Sequence, residues 1–171
     1  MNKTSKKQLI NFINTFRAVI ILLLMCIVAS FLSPAFLSVT NLFNVVRQVA
    51  VVAIIACGMT YVILTGGIDL SVGSIVGFSG AFSAGALAAT GNTVFAILIS
   101  LLLGVACGIC NGFFVSKCGI PPFIATLGMM TLLRGCILVY TKGAPIPVKE
   151  DSFKFIGKGD IFGIPFPIIL L

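Results

Sequence analysis

The chain has 171 residues, of which 59% are apolar and only 9% are charged. A soluble domain is about 45–50% apolar and about 25% charged, so this composition excludes a water-soluble globule and indicates a membrane protein. The net charge is +7, but the basic residues stand at the ends of apolar runs, where membrane topology places them, so nucleic-acid binding is not expected. The six cysteines lie in or beside apolar stretches, which indicates packing residues rather than a secreted disulfide framework.

The N-terminus is basic and leads into the first apolar run. Residues 1–17 contain three lysines, Arg17 and no acid, whereas residues 18–37 carry no charge. Twenty helical residues reach about 30 Å, the thickness of the hydrocarbon core of a bilayer. We therefore predict a cytoplasmic basic segment over residues 1–17 and a first span over residues 18–37. A cleaved signal peptide is the alternative, with residues 28–30 as its cleavage site.

Four further apolar runs predict four further spans, at residues 49–65, about 70–90, 93–116 and about 121–141. A polar turn containing Asn41 and Asn44 is expected before the second span. The second span is expected to stop at Gly66-Gly67, because paired glycines end helices.

Short connections join the later spans. Only Gly91-Asn92 separates the third span from the fourth, which predicts an antiparallel hairpin. The fifth span opens on Pro121-Pro122, where a helix tolerates proline because the first N–H groups have no partner in any case.

The last thirty residues divide into a polar and an apolar part. Residues 142–160 carry four lysines and three acids and are interpreted as one external loop. The chain turns apolar again at Ile161 and stops at Leu171, too short a run to cross a bilayer. We therefore expect a sixth span to begin here and the chain to be the front part of a longer protein.

Charge also predicts the orientation. A basic N-terminus stays in the cytoplasm and sends the first span outward. Because each further span crosses the membrane in the opposite direction, residues 66–71 and Lys117 are predicted to lie inside and residues 142–160 outside.

Glycines recur at helical spacing in the third and fourth spans. They include Gly73 and Gly77, followed by Gly104, Gly108 and Gly112. Glycines four apart leave a groove on one helix face, which lets backbones approach closely in a membrane. We interpret these residues as helix-packing positions, with the lining of a pore as the alternative.

A polar, glycine-rich break separates the second and third spans at residues 65–74. It contains Gly66, Gly67, Asp69 and Ser71, and Asp69 is the only acid in the first 149 residues. An ionised group at the membrane needs a partner or water. Asp69 or Ser71 is expected to cap the third span. The functional alternative is a discontinuous helix that faces a translocation pathway or gate, as in transporters.

The fourth and fifth spans contain three polar residues that are candidates for a specific role, Arg134, Asn111 and Thr126. Arg134 is about 10 Å from the end of the fifth span, so it either snorkels to the outer surface or belongs to the pathway. Asn111 and Thr126 are expected to form hydrogen bonds between helices.

Catalysis finds little support in the sequence. The chain has no histidine and residues 1–149 contain a single acid, Asp69, so no acid–base pair can be built from these residues. It contains no Gly-x-x-x-x-Gly-Lys-Ser/Thr phosphate loop, and Cys107 and Cys110, although at redox spacing, lie in an apolar run where thiols are inert. We expect no enzymatic activity, no metal site and no directly bound cofactor.

At this point the sequence resembles a known family, the permease subunits of ribose-type bacterial ABC importers of monosaccharides. The blocks that carry the resemblance occur in order at residues 33–36, 41–44, 58–74, 122–130, 134–135 and 139–141. The resemblance covers about residues 30–145, and it makes residues 18–171 the N-terminal part of a membrane permease domain. It implies an all-α, polytopic transmembrane helix bundle in the bacterial cytoplasmic membrane, with five complete spans and the start of a sixth in this chain.

The resemblance also implies partners and a mechanism. Such permeases pair in the membrane, bind cytoplasmic ATP-binding subunits that hold the ATP, and receive sugar from an extracytoplasmic binding protein. It implies alternating access, with residues 142–160 against the binding protein and the break at residues 66–74 near the path or its inner gate. A passive channel or facilitator is the alternative, because it has the same spans and glycine faces.

Overall fold

A computed structural model describes residues 3–170, with side chains from residue 13 onward. The lysines of the predicted basic N-terminus lie outside the described side chains. Within the described range there are seven helices and two short strands: α1 (Lys3–Leu32), α2 (Val39–Leu64), α3 (Val72–Thr90), α4 (Thr93–Ser116), α5 (Pro122–Thr141), α6 (Asp151–Lys158), β1 (Asp160–Ile161), β2 (Ile164–Pro165) and α7 (Phe166–Ile169). The predicted all-α fold is confirmed. In the described part of the chain, five helices, α1 to α5, are long and apolar enough to cross a membrane.

The chain divides into two compact units, residues up to Val46 and residues from Arg47. The first unit contains α1 and the start of α2. The predicted first span is wrong at its end, because α1 stops at Leu32 and not at residue 37. Pro34 explains this stop, since proline disfavours helical backbone in the residue before it.

The predicted polar turn around Asn41 and Asn44 is also wrong, because both residues lie inside α2. Ser38 precedes the helix, and its Oγ accepts the N–H of Asn41 at 3.3 Å. The side chain of Asn41 donates to the carbonyl oxygen of Phe36 at 2.7 Å. The polar residues therefore satisfy the first turn of α2 and do not interrupt it.

The second unit is built on α3, α4 and α5, which pack against one another. The predicted hairpin of α3 and α4 is confirmed. Gly91 ends α3 with φ +65°, and Asn92 caps α4 by accepting the N–H of Phe95 at 3.1 Å. In the interior of this hairpin, the buried Ser83 donates to the carbonyl oxygen of Ala96 at 2.9 Å.

The burial pattern is that of a membrane protein. The buried residues are mostly small or polar, namely Ser71, Ser74, Ser79, Ser83, Asn111 and Thr126 beside Ala50, Leu87, Ala96, Cys107, Leu133, Pro165 and Pro167. Large apolar residues stay outside, and Leu101 and Leu102 of α4 are 62% and 66% exposed. In lipid, small interhelical residues and hydrogen bonds replace the apolar core of a soluble protein.

The predicted external loop at residues 142–160 contains a helix that the sequence interpretation missed. Helix α6 is amphipathic, and Phe153 and Ile156 line a cavity with Ser83 of α3 and Ile97 of α4. Ser152 lies 2.7 Å from Thr93 between hydroxyl oxygens, so α6 lies at the α3–α4 turn. The charges of α6 made this segment resemble an irregular loop.

One exposed ion pair stabilises the first turn of α6. Lys154 Nζ lies 2.8 Å from Asp151 Oδ1. This hydrogen bond, together with the positive charge of Lys154, lowers the pKa of Asp151 below the ordinary value of an aspartate.

The apolar stretch that follows Ile161 does not begin as a helix, and a sixth span that starts within it stays a prediction. Strands β1 and β2 form an antiparallel hairpin that pairs Ile161 with Ile164. Its two turn residues, Phe162 and Gly163, have φ +53° and +78°, which matches a tight two-residue hairpin turn. Helix α7 begins only at Phe166.

The connections of the second unit lie at its two ends. Thr126 at the start of α5 reaches Ile68 before α3, whereas Thr93 at the start of α4 reaches Ser152 of α6. Residues 66–71 therefore lie at the end opposite to α6, as the predicted threading requires. Which end faces the cytoplasm stays a prediction.

Candidate functional site

The glycine pair forms the end of α2. Gly66 N–H donates to Ile63 O at 2.9 Å, and Gly67 N–H donates to Val62 O at 3.0 Å. This is the Schellman arrangement, in which the residue after the helix is left-handed, and Gly66 has φ +77°. At Gly67 a Cβ would lie 3.2 Å from Val62 Cγ1 and 3.3 Å from its carbonyl oxygen. The predicted helix stop at the pair is confirmed.

Asp69 holds the start of α3. Its Oδ1 accepts the N–H of Ser71 at 2.7 Å and the hydroxyl of Ser71 at 2.6 Å. The capping prediction is thus confirmed for Asp69. It is wrong for Ser71, whose backbone is helical (φ −83°, ψ −13°) and whose hydroxyl makes no capping bond. An N-cap residue normally has extended backbone, and the Ser71 hydroxyl hydrogen is already donated to Asp69.

Asn111 of α4 extends this chain of hydrogen bonds. Its Nδ2 donates to Ser71 Oγ at 2.9 Å, and Ser71 is fully buried. Since the Ser71 hydroxyl donates to Asp69, it can only accept from Asn111, which fixes the orientation of the amide. The Oδ1 of Asn111 is therefore left over, buried and without a hydrogen-bond partner among residues 3–170. The predicted interhelical hydrogen bond of Asn111 is confirmed.

Thr126 attaches α5 to the same connection. Its buried Oγ1 lies 2.8 Å from Pro122 O and 3.2 Å from Ile68 O, and its one hydroxyl hydrogen is shared between these two carbonyl oxygens. The contact with Ile68 joins α5 to the α2–α3 connection and not to another helix, so the predicted interhelical bond of Thr126 is not found among residues 13–170. Residues 65–71 are thus attached to α4 through Asn111 and to α5 through Thr126.

These residues surround a cleft of about 450 Å³. Its polar lining comes from Thr65, Asp69, Asn111, Ser116 and Thr126, and its other walls include Val62, Val115, Pro122, Gly108 and Gly112. Pockets for small molecules occupy about 300–1,000 Å³ and combine apolar walls with a few fixed polar groups. The cleft has the size and the lining of a small-molecule site.

The structure brings together only some of the predicted site residues. Gly67 and Asp69 line the cleft, Ser71 lies behind its wall through Asn111, and Gly66 shapes the adjoining helix end. Arg134 is separate, because it is exposed on α5 two turns beyond Thr126 and makes no hydrogen bond or ion pair within the described part of the chain. The pathway roles of the break and of Arg134 stay predictions.

The helix-packing glycines also differ among themselves. At Gly77 a Cβ would lie 3.3 Å from Ile137 Cδ1 of α5. At Gly73, Gly104, Gly108 and Gly112 it would meet no described atom within 4 Å. Packing by these four glycines stays a prediction. Gly85 lies against Tyr140, whose ring stacks on Phe82 at 4.0 Å between centroids.

The sequence interpretation missed Thr65 and Ser116 as lining residues. Thr65 directly follows the last residue of α2 and Ser116 is the last residue of α4, and a polar residue at the end of an apolar helix is the signal that identifies them in retrospect. Metal binding has no support here, because residues 3–170 bring no three His, Cys, Asp or Glu side chains close enough to hold an ion.

Apolar spanning helices around a cleft with polar groups in its wall define a multi-pass integral membrane protein. The chain belongs to the family described as branched-chain amino acid transport system / permease component, whose model matches residues 41–162. The predicted resemblance to ribose-type permeases is confirmed by the relatives described next.

Several bacterial relatives are named ribose import permease protein, which places the spanning helices in the bacterial cytoplasmic membrane. The chain is 42% identical over 99% of its length to the protein of Haemophilus influenzae, of which it covers 54%. It is 43% identical over 91% to that of Escherichia coli K12 and 45% identical over 88% to that of Bacillus subtilis 168, of which it covers 50% and 47%. The chain thus spans about half the length of these curated relatives. No solved structure matches it.

Proposed function

We propose that the chain forms part of the permease subunit of an ATP-driven, binding-protein-dependent importer of a ribose-type monosaccharide. The observation that carries the proposal is the 42% identity to a ribose import permease over 99% of the chain. The cleft at the end of α2 supports it, because a solute path through a helix bundle needs polar groups along its walls and at its ends.

The mechanism proposed is alternating access. A second permease subunit, cytoplasmic ATP-binding subunits and an extracytoplasmic sugar-binding protein complete the transporter, and ATP binds to the partner and not to this chain. Each ligand shifts the permease only as far as it binds one state better than the other. Residues 142–160, with α6 among them, contact the binding protein in this proposal.

The break between α2 and α3 lies near the sugar path or its inner gate. Gly66, Gly67, Asp69 and Ser71 are the proposed residues, and the half-buried Asp69 beside the cleft supports the assignment. Arg134 either faces the path or snorkels to the surface, because a guanidinium within a span needs water or a partner. Asp69→Asn tests this role of the break: full sugar uptake at a normal protein level makes Asp69 a dispensable cap.

The test is uptake of labelled ribose by cells with and without the intact gene, with unlabelled pentoses and hexoses as competitors. Gene-dependent uptake that one sugar blocks and ATP depletion abolishes supports the importer and identifies its preferred sugar. Gene-dependent flux that survives ATP depletion favours a passive facilitator. Uptake that does not depend on the gene with any sugar overturns the proposal.

A further inference from the structure

We propose that the cleft beside the α2–α3 connection is a binding subsite for the transported sugar and that Gly108 and Gly112 set its width. This inference rests on the proposed function, since it names the place where the permease contacts its substrate. It replaces the packing interpretation for these two glycines with the alternative that they line a path.

Gly108 and Gly112 leave open space in the cleft. Both line the cleft, and a Cβ at either would meet no described atom within 4 Å. Alanine is a much better helix former than glycine, so the local helix gains nothing from glycine at these positions. What glycine preserves here is the volume of the cleft.

The wall of the cleft contains polar groups whose hydrogen-bonding capacity is unused. Asp69 uses one carboxylate oxygen for Ser71, and its other oxygen accepts no hydrogen bond from any described residue. The hydroxyl of Ser116 makes no hydrogen bond within residues 3–170, and the buried Oδ1 of Asn111 has no partner there. A buried acceptor without a donor is destabilising, so a donor is expected in one state of the protein.

A polyhydroxylated neutral solute fits this wall best. Its hydroxyl groups donate to the carboxylate and amide oxygens, and its C–H faces contact Val62 and Val115. A lipid chain would leave these acceptors unpaired, because it has no donors. Since the Asn111 oxygen is closed off in this structure, binding requires the α4 wall to move slightly.

Valine substitutions in the complete transporter, with all partner subunits present, test the inference. Gly112→Val and Gly108→Val narrow the cleft, whereas Gly104→Val, one turn along the same helix, adds the same volume outside it. We expect ribose uptake to fall about tenfold in the two cleft variants and to stay within about twofold in the control. A bulkier hexose is expected to be impaired more than ribose.

Two results overturn the inference while leaving the proposed function intact. One is unchanged uptake in the two cleft variants, and the other is an equal loss in the Gly104→Val control, which means that the glycine face packs against a neighbour. If the unsubstituted transporter takes up no sugar, the proposed function itself fails.

A chemical measurement keeps the test decisive if the valine variants do not reach the membrane. Ser116→Cys is labelled with a water-soluble maleimide in the purified transporter, whose native cysteines, including the six of this chain, are replaced by alanine. Ribose during turnover is expected to slow this labelling severalfold. Lys117→Cys, the next residue and outside the cleft lining, is the matched control and is expected to react at the same rate with and without ribose. Equal labelling of Ser116→Cys with and without ribose overturns the inference.

Discussion

The amide of Asn111 donates a 2.9 Å hydrogen bond to the hydroxyl of Ser71, a residue 40 positions earlier in the chain. The bond joins the last two turns of α4 to the start of α3 at a fully buried point. Because the Ser71 hydroxyl donates a hydrogen bond to Asp69, the three side chains form one hydrogen-bond network with a fixed direction from donor to acceptor.

Loss of the Asn111 amide destabilises the bundle. Asn111→Leu keeps the size of the side chain but leaves the Ser71 hydroxyl with an unused acceptor position. The unpaired oxygen of Asn111 is removed and an unpaired acceptor on Ser71 takes its place, so these two effects offset each other. We therefore expect the free energy of unfolding to fall by about 1 kcal/mol, the usual size for an interhelical hydrogen bond. Thermal unfolding of the purified protein in detergent measures it. Cys110→Ala, an exposed neighbour on α4, is the control. Equal midpoints for Asn111→Leu and the unsubstituted protein would contradict this account.

Asp69 acts both as a cap and as a charge. Asp69→Asn keeps an oxygen that accepts from the Ser71 N–H, whereas Asp69→Ala removes it. We expect Asp69→Ala to lose about 0.5–2 kcal/mol of stability, as for the removal of a capping side chain, and Asp69→Asn to lose less. Thermal unfolding of the two variants side by side measures the order. If alanine proves as stable as asparagine at this position, Asp69 does not cap α3.

The left-handed backbone at Gly66 restricts substitution there. Gly66→Ala places a Cβ on a residue with φ +77° and is expected to cost about 1–2 kcal/mol. Gly58→Ala, inside α2 with no described atom within 4 Å of the new Cβ, is the matched control and is expected to stabilise by about 0.5–1 kcal/mol. Opposite shifts of the unfolding midpoint are therefore expected. A stabilising effect at both positions would show that α2 does not end as described.

The spans were predictable where the apolar composition of a run agrees with the residues that start and end a helix. Helix α4 matches the predicted residues 93–116, because Asn92 caps its start and the apolar run is continuous. Helix α2 begins ten residues earlier than predicted, because Ser38 and Asn41 satisfy its first turn from within the sequence. Polar residues at a helix start look the same in sequence as polar residues in a turn.

The candidate site was predictable only in part. The break at residues 65–71 is local, so its glycines and Asp69 identify it in the sequence. The contacts of Ser71 with Asn111 and of Ile68 with Thr126 join positions 40 and 58 residues apart, which no local pattern contains. Helix α6 was missed because its charged residues make the segment polar overall, although Phe153 and Ile156 form a short apolar face.

The ion pair of α6 is expected to depend on pH. The hydrogen bond and charge of Lys154 lower the pKa of Asp151 in the folded protein. The pair therefore contributes stability at neutral pH, and this contribution is lost as the pH falls through the lowered pKa. A carboxyl NMR titration is expected to give Asp151 a midpoint below the ordinary aspartate value. In Lys154→Met the midpoint is expected to return to that value. The same low midpoint in both proteins would contradict the assigned cause.

Accumulation of sugar tests the central claim most directly. The complete transporter is reconstituted in proteoliposomes with its ATP-binding subunits, and the binding protein and labelled ribose are supplied on the side opposite to ATP. The account predicts that, with ATP, the ribose concentration on the receiving side rises above that on the supplying side, and that without ATP no accumulation occurs. Ribose that reaches equal concentrations on both sides, at the same rate with and without ATP, would contradict it.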